Sequence, residues 1–173
     1  MIAWALLAAS TLWGLSLTTR ILKGRPRPSW LLDLHRYLGG LGTIFVGVHV
    51  AGIVADTYVH FGLASVLVPF ASKWHPVAVA WGVTALYLFI AVELTSLART
   101  KFPKRFWRAT HFASFPLFLL STIHALTAGT DAHTWAFQML AVAVVALVVW
   151  LTGVRIAKDT RGGRPGAAAV AEP

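Results

Sequence analysis

The sequence predicts an all-α integral membrane protein, a bundle of about five transmembrane helices, and three observations carry that expectation. Apolar residues make up 57% of the 173-residue chain and its mean hydropathy is +0.70, far above a soluble average. Five runs reach or approach the roughly 20 helical residues that a hydrocarbon core requires. Of the 15 lysines and arginines, all but Lys73 fall in alternate loops and the tail. Cysteine is absent, so any metal is expected on histidine or oxygen ligands.

The first run, Ile2 to Thr19, has no basic residue before its apolar part and a basic loop directly after it. That is the reverse of a secretory signal, so it reads as a membrane helix. The second run is Trp30 to Ala55, the third Pro76 to Leu97, the fourth Phe106 to Ala128 and the fifth Thr134 to Val154. Between the second and third, YVHFGLASVLVPF suits a short interfacial segment, although periodicity alone leaves its form open. Beyond the fifth, RGGRPGAAAVAEP is rich in glycine, alanine and proline. The expectation is a membrane domain over residues 1–155 and a disordered cytoplasmic tail over 156–173.

Charge sets the expected orientation. Arg20, Lys23, Arg25, Arg27 and Arg36 follow the first run, Arg99, Lys101, Lys104, Arg105 and Arg108 follow the third, and Arg155, Lys158, Arg161 and Arg164 follow the fifth. Basic residues stay inside, which puts the N-terminus outside and the C-terminus in the cytoplasm. The formal charge of +9 thus reflects topology, and no nucleic-acid partner is expected because these charges lie between apolar runs.

Polar rings inside such helices are rare and functional as a rule. His35 and His49 are separated by about 21 Å of rise and lie within about 40° of one face of the second helix. On the fourth helix, His111 and His124 are about 19.5 Å apart in rise, but roughly 140° apart around an ideal axis. Pro116 lies between them, and a proline kink would bring both rings to one side. The second and fourth helices run in the same direction, so His35 pairs in depth with His111 and His49 with His124. Two imidazole pairs at two depths, without thiolates, suit two haem irons ligated on both axial sides.

Other residues support this reading less specifically. Gly39, Gly40, Gly42 and Gly47 serve close helix packing, clearance for a flat porphyrin, or both. Arg36 and Arg108 mark the cytoplasmic edge and are also placed to meet haem propionates. His60, His75 and His133, near Asp56 and Asp131, form either a solvated set or an outer metal patch. Glu93 is expected to reach the interface or a basic neighbour. Most of the eight tryptophans read as interface anchors or core filling.

HRYLGGLGTIFVGVH, followed after an intervening helix by RFWRATHFASFPLFLLSTIH, resembles the ferric reductase-like transmembrane domain. That domain is shared by ferric reductases, NADPH oxidases and the haem-binding subunit of the bacterial methionine sulfoxide reductase system. The resemblance covers about Trp30 to Ala128 and implies two b-type haems between the second and fourth helices, with His35, His49, His111 and His124 as iron ligands. Many members have a sixth helix and a fused flavin and nicotinamide domain. Here the chain ends in a short tail, so FAD or FMN is expected only on a partner. In the methionine sulfoxide reductase subunit the position matching His35 is commonly not histidine, so His35 favours the two-haem branch.

The implied function is a di-haem electron conduit, an oxidoreductase membrane subunit of a bacterial plasma membrane. Its expected donor is a cytoplasmic flavoprotein reductase or a quinol. Its expected acceptor is a ferric chelate, dioxygen or a periplasmic protein. One alternative is a subunit donating electrons to a periplasmic reductase; others, of a different class, are a non-catalytic haem sensor and a small metal permease.

Overall fold

The computed structural model describes residues 1–19, 28–57, 59 and 61–162. Seven α-helices occur among them: α1 (Ile2–Thr19), α2 (Pro28–Ala55), α3 (Leu63–Leu67), α4 (Pro76–Leu97), α5 (Lys104–Phe112), α6 (Ser114–Ala128) and α7 (Trp135–Gly162). Five spans are long and apolar enough to cross a membrane: α1, α2, α4, the α5–α6 pair and α7. Except for the basic, amphipathic α5, they are apolar nearly all round, as membrane helices are, and side chains such as Ile44, Val48, Leu97 and Val149 remain exposed on the outside of the bundle.

Two expected spans hold to the residue at both ends, α1 and α4. α4 opens on Pro76, where a missing N–H has no helical partner to lose. Within the stretch expected to be interfacial, Leu63–Leu67 form the single turn-and-a-half of α3, held to α4 by the Tyr87 hydroxyl donating to the Leu67 carbonyl at 2.6 Å. α7 runs to Gly162 instead of ending near Val154, so the first residues of the expected tail are helical and 163–173 lie outside the described residues. Lys158 on that extension donates to the Thr19 carbonyl at 2.6 Å, a cation on the free carbonyl end of α1.

The fourth span is broken, as its proline requires, but not at the proline. Pro116 has no N–H for the Phe112 carbonyl and its ring crowds that carbonyl. The chain accordingly leaves the α-helix at Ala113, whose N–H bonds Thr110 in a tighter turn at 3.0 Å, and α6 restarts at Ser114.

α1 is the central helix, packing on α2, α6 and α7, while α4 packs on α6. Ala8 and Leu15 of α1, Phe118 of α6 and Val148 and Leu151 of α7 form one buried cluster. Nearby, Trp4 packs edge-on against Phe137 at 5.2 Å and donates its indole N–H to Thr122 at 3.0 Å. α1 therefore carries α2, α6 and α7.

Candidate haem-ligand pairs

At the end of the bundle where α2 begins, His35 of α2 faces His111 of α5, with ring centres 6.0 Å apart and ring planes at 85°. His35 leans on α1: its Nδ1–H donates to the Ser10 carbonyl at 3.0 Å, with the Ser10 hydroxyl 3.3 Å away. His111 stacks on Trp107, one turn earlier on α5, at 5.1 Å and 22°, and its Nδ1 lies 3.4 Å from the Ser96 hydroxyl. The Arg99 guanidinium covers the Trp107 ring at 5.8 Å.

At the other level His49 of α2 faces His124 of α6, 6.3 Å between ring centres and 67° between planes. His124 reaches across to α4, donating its Nδ1–H to the Ala78 carbonyl at 2.8 Å. α2 is continuous through His35 and His49, and the break at Ala113 falls between His111 and His124, each of which faces a histidine of α2. Between the two levels lies an apolar layer in which Leu7 of α1, Val46 of α2, Phe89 of α4 and Leu117 of α6 meet.

The donor set fits a haem iron. A carbonyl only accepts, so Nδ1 of His35 and of His124 carries the proton and Nε2 keeps its lone pair for a metal. A metal held about 2 Å from one nitrogen of each ring places the ring centres about 6 Å apart, close to the separations found. Among the described residues no three His, Cys, Asp or Glu side chains gather in one place. A porphyrin iron, already held by four ring nitrogens, needs only two imidazoles.

The remaining candidates are placed less simply. Arg36 pairs with Asp33 on its own helix at 3.5 Å, both side chains being largely exposed, and Arg108 is exposed on α5. The Glu93 carboxylate lies against α2, where a Cβ on Gly39 would stand 3.3 Å from Oε1. Gly42 faces Leu7, whereas Gly40 and Gly47 face open space. In a 3.6-residue helix only Gly39 and Gly42 of the four share the histidine face. His75 precedes α4 in a left-handed conformation with φ 41°, exposed and edge-on to Trp74, and His133 is exposed in the turn after α6. His60 lies outside the described residues.

Sequence reasoning missed Ser10, Ala78, Ser96 and Trp107. Trp107 had a legible signal, its position four residues before His111. Ser10 and Ala78 act through backbone carbonyls, which no side-chain pattern announces.

Residues 1–122 match the family described as the ferric reductase like transmembrane component. No curated protein and no solved structure matches the chain.

Proposed function

Because the chain belongs to the family of ferric reductase-like transmembrane components, we propose that it carries electrons across the membrane on two b-type haems, one between His35 and His111 and one between His49 and His124. The observation behind this reading is the two sets of facing imidazoles, 6.0 and 6.3 Å between ring centres, at two depths of one bundle. Bound haem supplies one-electron ferric and ferrous chemistry.

The chain contributes position and surroundings. Backbone carbonyls on Nδ1 of His35 and His124 fix tautomer and ring orientation and raise the basicity of Nε2. Leu7, Val46, Phe89 and Leu117 exclude water between the two levels and keep the dielectric low. Arg36 and Arg108 are assigned to propionates; the exposed contact of Arg36 with Asp33 is of the kind that exchanges readily for a stronger partner.

The distribution of basic residues supports an N-terminus outside and a C-terminus in the cytoplasm. His35 and His111 then form the inner pair, served by a cytoplasmic flavoprotein reductase or a quinol. His49 and His124 form the outer pair, which serves a ferric chelate in the first instance, with dioxygen or a periplasmic protein as other acceptors. A groove of about 340 Å³ is lined by Trp81, Thr127 and Ala78, whose carbonyl holds His124, and offers such an acceptor an approach.

Haem stoichiometry of purified wild type and His35→Ala tests this proposal. Two haems falling to one is the expected result. A single haem unaffected by the substitution removes the two-haem reading and leaves a one-haem subunit of a periplasmic reductase.

A further inference from the structure

His35 and His124 stand on different helices and at different levels, yet each rests in a seat of the same construction. His35 donates Nδ1–H to the carbonyl of Ser10, and Gly14 follows four residues later on α1. His124 donates to the carbonyl of Ala78, and Gly82 follows four residues later on α4. Even the residue before each glycine is the same: Ser-Thr-Leu-Trp-Gly ends the first seat and Ala-Val-Ala-Trp-Gly the second.

The spacing has a physical meaning. In an α-helix the carbonyl of residue i accepts the N–H of residue i+4. Side chains tilt towards the helix N-terminus, so that of residue i+4 stands over this bond. A glycine at i+4 leaves the second lone pair of the carbonyl open to a group from outside.

Both glycines are occupied in this sense. A Cβ on Gly14 would lie 3.3 Å from Cε1 of His35, and one on Gly82 would lie 2.7 Å from both Cε1 and Nδ1 of His124. Neither glycine has a positive φ, so backbone freedom is not what they supply. An interior glycine also weakens its helix, so helix formation does not call for them.

We propose that Gly14 and Gly82 are positioning residues: each uncovers the carbonyl four residues before it, and that carbonyl locks the tautomer and ring plane of one axial histidine at each haem level. The inference rests on the haem ligation proposed above. It makes the two ligands of each haem unequal. At the inner level His35 is clamped by a fixed carbonyl, whereas Nδ1 of His111 has a rotatable hydroxyl 3.4 Å away. At the outer level the clamped ligand is His124.

The test uses the full chain, purified with haem, as wild type, Gly82→Ala, Gly14→Ala and Gly153→Ala. The last is a control, since a Cβ at Gly153 meets nothing within 4 Å. Haem content and low-temperature EPR of the oxidised protein are recorded, with each low-spin signal assigned through His35→Ala and His124→Ala. Gly82→Ala is expected to shift or abolish the outer signal and leave the inner one in place. Gly14→Ala is expected to shift the inner signal alone, and more mildly, while Gly153→Ala matches wild type. Should Gly82→Ala fail to accumulate in membranes, Gly14→Ala decides. Unchanged signals with full haem content in the glycine variants overturn the seat and leave the haem reading standing. A wild type without haem overturns the reading beneath it.

Discussion

His49 of α2 and His124 of α6 stand with ring planes at 67°, and His35 and His111 cross at 85°. Crossed axial imidazoles leave two iron d orbitals nearly equal in energy, and low-spin ferric haem then gives a strongly anisotropic EPR signal. Parallel rings give a rhombic one. Oxidised protein is expected to show the anisotropic type at both levels, and purely rhombic spectra would contradict the ring geometry.

The two levels are held by separate contacts, His35 on α1 and His124 on α4. Loss of one pair should therefore spare the other. His124→Ala or His49→Ala is expected to remove one b-type haem and retain the second, read as a halved reduced-minus-oxidised band. Loss of both haems in either variant would show that the levels are not independent.

Trp107 presses its face on His111 and is itself covered by Arg99. Trp107→Ala frees the imidazole, whose hydrogen-bonding neighbour is the Ser96 hydroxyl at 3.4 Å. Removal of an outer support of a metal ligand commonly lowers affinity by roughly 10-fold or more. Affinity for the haem proposed between His35 and His111 is expected to fall by about that factor in Trp107→Ala and to be largely kept in Trp107→Phe, measured by haem titration of the apoprotein.

Away from the histidines, the Trp4 indole donates to Thr122 across α1 and α6 at 3.0 Å, with both side chains buried. Thr122→Val keeps the shape and strands the indole N–H. The expected loss is about 1 kcal/mol, in line with other interhelical hydrogen bonds in membranes. The double change Trp4→Phe with Thr122→Val should recover part of it, because no polar group is then left unpaired. Unfolding in denaturing detergent measures both, and haem content is expected to stay at the wild-type level.

Much of this arrangement was legible in the chain. Hydropathy and the spacing of basic residues mark five spans, because lipid makes apolar length an almost sufficient signal. The fourteen-residue interval from His35 to His49 reads directly as one helix face, since α2 is unbroken. Three kinds of information were hidden. Proline acts on the carbonyl four residues before it, so the break falls at Ala113 and not at Pro116. Hydrogen bonds to the carbonyls of Ser10 and Ala78 depend on which helices are neighbours. Glu93 looks interfacial by position, and only the folded chain shows its carboxylate beside Gly39 of α2.

The break at Ala113 yields the last expectation. Thirteen residues of regular helix leave His111 and His124 about 140° apart around the axis, which prevents both from meeting partners on α2. The tightened turn closes on Ala113, between the two histidines, and both of them face partners on α2. Pro116→Ala restores an N–H to the Phe112 carbonyl and removes the ring that crowds it. The α5–α6 segment is then free to run as one helix, with greater helical propensity than before. Haem content is expected to fall while helicity by circular dichroism holds or rises. Full retention of both haems in Pro116→Ala would mean that packing on α4, not the proline, holds the break.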